Sequence, residues 1–286
     1  MNRTRTYAAA VVGFALAASL AACGSTREDS PSSHAKSEST CPASSHQPLE
    51  AYRLLRRFDL SRNEGWQLDD GKPSNADGVD KPDDVLFGQG PRHTSMLIEG
   101  HRDAPGGTFY TGEARGIFQP IPNYSFTRAV VQFDTPVSGM WPAVWKRPLA
   151  GEGEIDDWEK FGGQLGEANE DHGTLHSTPY DEEHSRKVTS PNFPALKGGR
   201  PHVIETENAP CGFTWWVDGK KIGTITSQHY DDKAGSGQWA SMFGNADKKW
   251  YFRITLQAGG SGGGPIPDNL MRWRFWLHEL QLYVPR

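Results

Sequence analysis

The sequence predicts an all-β domain that folds as a sandwich of antiparallel strands. Helical periodicity is scarce along the chain, whereas short aromatic and β-branched stretches recur between breaks made of Gly, Pro, Asn and Asp. A hairpin is clearest at residues 215–222, where Asp218 and Gly219 stand between two apolar runs. Asp-Gly is a strong turn signal because both residues tolerate positive φ. The domain is therefore expected to be mostly β.

Ten stretches are predicted to form strands, because each is apolar or β-branched and lies between turn residues. They cover residues 95–99, 126–133, 143–146, 154–161, 173–177, 202–207, 213–217, 221–226, 250–257 and 274–284. The glycine run at 259–264 lacks the lysine–serine ending and the following helix of a phosphate-binding loop, so we interpret it as a flexible loop.

Residues 1–22 have the pattern of an export signal. Arg3 and Arg5 precede an apolar run over residues 7–18, which is too short to span a bilayer comfortably, and small residues follow it. The ending Leu-Ala-Ala-Cys at residues 20–23 resembles a bacterial lipoprotein box, which implies cleavage before Cys23 and a lipid on its sulfur. We therefore expect an extracytoplasmic protein anchored to the cell membrane by lipid alone. The alternative is an ordinary secretory signal that is cut nearby.

Residues 23–48 are predicted to form the lipidated cysteine and a flexible linker. The segment is rich in Ser, Thr, Pro, Lys and Glu and has too few large apolar residues to fold. With Cys23 lipidated, Cys41 and Cys211 are the remaining thiols in an oxidising compartment, where they either pair as a disulfide or stay free.

Residues 49–286 are long enough for one domain, and no second linker divides them. Residues 1–22 contain two arginines and no acid, so their removal changes the formal net charge from −5 to −7. Proteins that bind nucleic acid usually carry a basic stripe, which is missing from this sequence. We expect a monomer that binds no nucleic acid.

The most informative segment is residues 154–159, which hold the four carboxylates Glu154, Asp156, Asp157 and Glu159. Alternate side chains of a strand share a face, so Glu154 and Asp156 point the same way and Glu159 points the opposite way. A bulge between Asp156 and Glu159 would return Glu159 to the face of the other two. Asp157 would turn away and be replaceable by an apolar residue. Two carboxyl groups held about 5–5.5 Å apart are what retaining glycoside hydrolysis requires.

The four acids allow two other interpretations. They could form a solvated charged strand, or a calcium-binding loop. An EF-hand loop requires acids and a glycine at spacings that this segment lacks. Ten tryptophans are present in the chain, and Trp141 and Trp145 lie four residues apart just before the acids. In a strand they would share a face, where they either stack on sugar rings or form core.

Five segments give the chain its resemblance to glycoside hydrolase family 16, the laminarinase-like enzymes with a bulged acidic motif. The likeness spans roughly residues 109–284. Its segments are Trp-Pro-Ala-Val-Trp at 141–145, Gly-Glu-Ile-Asp-Asp-Trp-Glu at 153–159, Gly-Thr-Leu-His at 173–176, Trp-Val-Asp-Gly-Lys at 216–220 and Leu-Gln-Ala-Gly-Gly at 256–260.

The resemblance implies an antiparallel β-jelly-roll sandwich of the concanavalin A-like type and a catalytic role for three acids. Glu154 would be the nucleophile, Glu159 the general acid and then base, and Asp156 the residue that positions and tunes the nucleophile. Trp141, Trp145 and His176 would bind substrate, although His176 is equally compatible with a structural role.

Two departures from the family pattern affect what can be expected of the site. Ser261 and glycines stand where the family usually has an aromatic or amide residue, which leaves the donor-side sugar undefined. The closing strand at 277–283 lacks the aspartate that binds a structural calcium in many relatives, so no metal and no cofactor is predicted. Residues 181–187 are expected to form a surface loop.

The function predicted from the sequence is a retaining endo-β-glycosidase that hydrolyses β-1,3- or mixed β-1,3/1,4-glucan. The resemblance also allows a galactanase or a transglycosylase on the same fold. The alternative from another class is a non-catalytic, lectin-like carbohydrate-binding module at the cell surface. Loss of one acid is the usual signature of such a module, and all three acids are present here.

Overall fold

Two antiparallel β-sheets pack face to face in the computed structural model, which describes residues 48–73, 75–163, 171–177, 187–190 and 192–286. Within these residues the strands are β1 Tyr52–Arg57, β2 Gln67–Leu68, β3 Val79–Asp80, β4 Val85–Gln89, β5 Ser95–His101, β6 Tyr110–Arg115, β7 Ile121–Pro122, β8 Ser125–Phe133, β9 Met140–Pro148, β10 Glu154–Lys160, β11 Asp171–His176, β12 Lys187–Thr189, β13 His202–Ala209, β14 Gly212–Val217, β15 Lys220–Thr226, β16 Lys249–Ala258 and β17 Arg272–Pro285. The helices are α1 Ser227–Ala234, α2 Gln238–Met242 and α3 Gly260–Gly263, and short 3₁₀ turns cover Pro48–Ala51 and Pro82–Asp84.

One sheet, which we call the cleft sheet, has the strand order β2-β6-β16-β9-β10-β11-β12. The other, the back sheet, has the order β4-β5-β17-β8-β13-β14-β15, with β1 beside the C-terminal half of β17. The sheets are joined where His101 of β5 pairs with Tyr110 of β6. The chain crosses repeatedly between the two sheets, which is the jelly-roll arrangement predicted from the sequence.

Large aromatic side chains fill the space between the sheets. Trp158 of β10 is fully buried and stacks on Phe133 of β8, with ring centroids 5.7 Å apart. Phe133 in turn stacks on Trp273 of β17. Aromatic side chains bury the most apolar area per residue, so this layer supplies much of the stability of the domain.

All ten predicted strands are found, with ends that differ by up to three residues. The Asp-Gly hairpin is also confirmed: Val217 pairs with Lys220, and Asp218 and Gly219 have φ values of 48° and 78°. In the described part of the chain, the sequence did not predict the three helices or the other seven strands, which are β1 to β4, β6, β7 and β12. The segments of β1 and β6, Tyr-Arg-Leu-Leu-Arg-Arg and Tyr-Thr-Gly-Glu-Ala-Arg, are too polar or glycine-containing to give a strand signal.

The prediction of a flexible loop at 259–264 was wrong. These glycines form a closely packed turn that contains α3, and Gly262 and Gly263 are buried. A Cβ at Gly262 would lie 2.2 Å from the ring of Trp141, and one at Gly260 would lie 2.0 Å from the carbonyl oxygen of Asn75. Glycine is required here because the backbone approaches its neighbours too closely for any side chain.

The predictions for the beginning of the chain lie outside the described residues. These include the signal segment, Cys23, the linker and Cys41, and the predicted loop at 181–187 lies outside them except for Lys187. Cys211 is disulfide-bonded. The other two cysteines of the chain lie outside the described residues, so the pairing of Cys211 with Cys41 stays a prediction. None of the helices in the described part of the chain has the length and apolar character needed to cross a membrane.

Candidate active site

A cleft of about 640 Å³ lies on the open face of the cleft sheet. Its lining residues come from every strand of that sheet except β2, and they extend from Asp69 and Asp70 just after β2 to Lys187 and Thr189 on β12. The cleft therefore crosses the whole sheet. The three predicted acids lie in its middle, on β10.

The structure contains the predicted bulge in β10. Against β9, Asp156 pairs with Trp145 and Trp158 pairs with Val144, so Asp157 is skipped. The register against β11 shifts at the same place, between Asp156 and Glu159. Asp157 and Trp158 are both buried and contact core residues, and Glu159 returns to the cleft. Glu154, Asp156 and Glu159 therefore all line the cleft, as predicted.

Each of the three acids is buried and held by a different partner. Glu154 Oε2 accepts a hydrogen bond from Arg147 Nη1 at 2.9 Å. Glu159 Oε1 accepts one from Trp141 Nε1 at 3.0 Å. Asp156 stands between these two acids on the strand, and its partner is His176. Fixed partners at every carboxyl keep the group preorganised, which a catalytic constellation requires.

The electrostatic environments of these acids differ. Burial raises the pKa of Glu159 well above its usual range, and the negative charge of Asp156 raises it further. Burial also raises the pKa of Asp156, with a second contribution from the charge of Glu154. Glu154, in contrast, is paired with the guanidinium of Arg147. Burial and the charge of Asp156 together favour the protonated form of Glu159.

His176 of β11 lies opposite Glu154 in the sheet register. Its Nε2 is 2.8 Å from Asp156 Oδ2 and 3.8 Å from Glu154 Oε1. His176 therefore forms a hydrogen bond with one of the three acids, while its predicted contact with substrate stays a prediction. Glu154, Asp156 and His176 each offer a donor atom within 4.8 Å of the others, which makes them the one group in the described residues that could hold a metal ion.

Trp141 and Trp145 both line the cleft from β9, so the prediction that they share a face is confirmed. Neither presents two open faces. The ring of Trp141 lies against Gly262 and 5.4 Å from that of Phe161. Trp145 is 7 % exposed, and the guanidinium carbon of Arg253 lies 4.1 Å from its ring centroid. Trp141 also donates a hydrogen bond to Glu159, which is a role that the sequence did not indicate.

Several charged cleft residues were missed by the sequence reasoning. Arg147 of β9 pairs with Glu154, and Arg253 of β16 pairs with Glu113 of β6. Asp80 is buried at the cleft wall, where Thr111 donates a hydrogen bond to it and burial raises its pKa to about 7. No local motif marks these residues, because each contact depends on which strands pair and in what register.

Asp157 turns away from the cleft as predicted, but the structure argues against its replacement by an apolar residue. Its Oδ1 accepts hydrogen bonds from Lys146 Nζ at 2.7 Å and from Thr206 Oγ1 at 2.8 Å, and all three residues are buried. Removing the carboxylate would leave the ammonium of Lys146 buried without its counter-charge, which is strongly destabilising.

No family model and no curated protein sequence matches this chain. Its fold, however, matches many solved structures. The laminarinase catalytic domain of Thermotoga maritima superposes with a TM-score of 0.64 at 16% identity, covering 83% of this chain and 100% of that one. A glycoside hydrolase family 16 protein of Bacteroides ovatus, solved with a product of mixed-linkage glucan, has a TM-score of 0.64 at 15% identity over 80% of this chain and 100% of that one.

A third similar structure is the immunostimulatory antigen and pseudo-β-1,3-glucanase of Mycobacterium tuberculosis. It has a TM-score of 0.64 at 18% identity and covers 82% of this chain and 99% of that one. These similarities confirm the predicted fold class: the chain has the jelly-roll fold of the laminarinases.

Proposed function

We propose that this protein is a retaining endo-β-glycosidase that hydrolyses β-1,3- or mixed β-1,3/1,4-glucan. The observation that carries the proposal is the set of three buried carboxylates, Glu154, Asp156 and Glu159, on the cleft face of one bulged strand. Retaining hydrolysis requires a protonated carboxyl group as the general acid beside a carboxylate nucleophile, and burial beside Asp156 favours the protonated form of Glu159.

In the proposed reaction, Glu154 attacks the anomeric carbon while Glu159 transfers its proton to the departing glycosidic oxygen. The C–O bond to the leaving sugar breaks, and a glycosyl ester forms on Glu154. Glu159, now ionised, removes a proton from water, which attacks the same carbon and releases Glu154. Two inversions give net retention. Asp156 and His176 hold the carboxyl groups in place between these steps.

The cleft supports cleavage within a chain. Its lining extends across the full cleft sheet, from Asp69 to Thr189, so several consecutive sugars of a polysaccharide would lie on either side of the acids. The glucan specificity rests on the fold shared with laminarinases and on the sequence resemblance.

The test is reducing-end release by the purified protein from a panel of laminarin, lichenan and agarose. We expect release from one of the two glucans, and its abolition by Glu154→Gln and by Glu159→Gln, each of which keeps the size of the side chain and removes its carboxyl group. Release from agarose alone would point to a galactanase. Binding to the panel without any release would instead support a lectin-like module. Longer products formed from short oligosaccharides would indicate a transglycosylase.

We further propose that the enzyme acts outside the cytoplasm and is tethered through a lipid on Cys23. The support is the sequence pattern of residues 1–23. Full-length chain expressed in a bacterial host should incorporate a labelled fatty acid and fractionate with membranes, and Cys23→Ser should abolish both. Equal labelling of the Cys23→Ser variant would contradict the proposal.

A further inference from the structure

The bulge that brings Glu159 into the cleft is weakly held by the sheet itself. The register of β10 skips Asp157 against both β9 and β11, so this residue faces no strand partner on either side. Extra residues in bulges are generally left out of the ladder. Something other than the ladder must keep Asp157 in place.

Asp157 has no partner in the strand ladder, but its side chain accepts two hydrogen bonds. Lys146 of β9 and Thr206 of β13 both donate to Asp157 Oδ1. The first contact ties the bulge to the neighbouring strand, and the second ties it to the back sheet. We call Lys146, Asp157 and Thr206 the bulge clamp.

Burying the ion pair of the bulge clamp in the core carries a desolvation penalty that apolar side chains would not have. Lys146 and Asp157 are 3 % and 1 % exposed, and Lys146 Nζ lies 5.4 Å from the ring centroid of Phe252. Asp157 Oδ2 is buried without a hydrogen-bond partner in the described part of the chain. Buried ion pairs are often no more stabilising than apolar residues of the same size, and are retained in some proteins because they specify one geometry. We therefore expect the bulge clamp to fix the geometry of β10 rather than to add stability to the domain.

The geometry in question is the position of Glu159. Without the extra residue, strand alternation would turn Glu159 toward the core and Trp158 toward the cleft. We propose that Lys146, Asp157 and Thr206 are positioning residues that hold the bulge of β10, and through it the carboxyl of Glu159, in the place from which it donates a proton. This inference rests on the proposed function, because it assigns Glu159 the role of general acid.

The clamp can be removed without leaving a buried charge unpaired. The double variant Lys146→Met/Asp157→Leu replaces both charges by apolar groups of similar size, and Thr206→Val removes one hydroxyl. Thr206→Ser restores that hydroxyl and serves as the matched rescue. Leu280→Ala in the back sheet is the control for lost stability, since Leu280 is fully buried and belongs to β17.

A comparison of leaving groups separates positioning from stability. Activated aryl glycosides depart without protonation, whereas the sugar of a natural glucan needs a general acid. For the double variant we expect kcat/KM on a laminari-oligosaccharide to fall on the order of 10²-fold, because misplacement of a catalytic group by 1 Å can cost that much. The loss on the dinitrophenyl glycoside should be much smaller. Thr206→Val should lose part of the same activity and Thr206→Ser should keep it, while Leu280→Ala should lower the melting temperature and leave the ratio between the two substrates unchanged.

An NMR measurement that does not depend on turnover can show that the clamp hypothesis is wrong even if the proposed function is also wrong. The indole N–H of Trp141 donates to Glu159, so its proton resonance reports where that carboxyl lies, and Trp141→Phe identifies the signal. In the double variant the resonance should shift and lose its dependence on the titration of Glu159. An unchanged Trp141 resonance would overturn the clamp even if the wild-type protein hydrolysed no glycan. Equal losses of kcat/KM on both substrates, or no loss, would overturn it in an active enzyme.

Discussion

Gly262→Ala should damage catalysis by displacing the ring of Trp141 at the cleft. The new Cβ would lie 2.2, 2.4 and 2.5 Å from three carbons of the Trp141 ring. Carbon atoms pack at about 3.5–4.0 Å, so the ring must move by roughly 1 Å or more. The backbone of Gly262 imposes no further penalty, since it is not among the positive-φ glycines. The expected effect therefore comes from the contact with Trp141 alone.

The displaced ring would break the 3.0 Å hydrogen bond from Trp141 to Glu159. Overpacking should lower the free energy of unfolding by about 1–3 kcal/mol. Since a misplacement of 1 Å at a catalytic group can cost on the order of 10²-fold, kcat/KM on laminarin should fall by about that factor.

Urea unfolding and initial rates on laminarin measure the two effects. Gly107→Ala is the control for a tight contact away from the cleft, because Gly107 is exposed and an added Cβ would lie 3.0 Å from the backbone oxygen of Ala104. It should leave kcat/KM unchanged, whatever its effect on stability. A Gly262→Ala protein with wild-type stability and kcat/KM would show that Trp141 moves freely, and would refute the view that the glycine turn fixes the donor to Glu159.

Three further predictions concern charge and protonation. Asp157→Leu alone should lower the free energy of unfolding by about 3–5 kcal/mol, because it leaves Lys146 buried without its counter-charge; wild-type stability in urea would contradict this. Asp80 has a folded-state pKa of about 7 against 3.8 for the ordinary group, so its contribution to stability is complete below pH 4 and is lost as the pH rises through 7. Asp80→Asn should therefore match the wild type near pH 4 and exceed its stability at pH 8 by up to about 4 kcal/mol, whereas parallel curves would count against the assigned pKa. Trp141→Phe removes a hydrogen bond that favours the charged form of Glu159, so the basic limb of the kcat/KM profile should move to higher pH; a shift to lower pH would show that Glu159 is not the acid.

Most of the fold could be predicted from the sequence because the strands carry local signals. β8 alternates buried and half-buried residues, and β14 is a short aromatic run closed by Asp-Gly. Helix α1 gave no such signal, since only Tyr230 and Ala234 are buried among charged residues. Its place in the fold depends on tertiary packing rather than on a periodic apolar face.

The candidate site divides in a similar way. Glu154, Asp156 and Glu159 were found because they lie on one strand, where alternation with one bulge predicts the face that each occupies. Arg147 was missed because its contact with Glu154 depends on the pairing of β9 with β10. Thr206, which lies 49 residues from Asp157, was missed because it belongs to the opposite sheet. A short stretch of sequence does not predict which residues pair across strands or which residues of the two sheets pack together.

The most direct test of the central claim is the anomeric configuration of the sugar that is released first. Proton NMR spectra recorded during the first minutes of laminari-oligosaccharide hydrolysis resolve the two anomers before they equilibrate. Double displacement through Glu154 predicts that the β-anomer appears first and the α-anomer grows in later by mutarotation. Initial release of the α-anomer would show a single displacement by water and would contradict the roles assigned to Glu154 and Glu159.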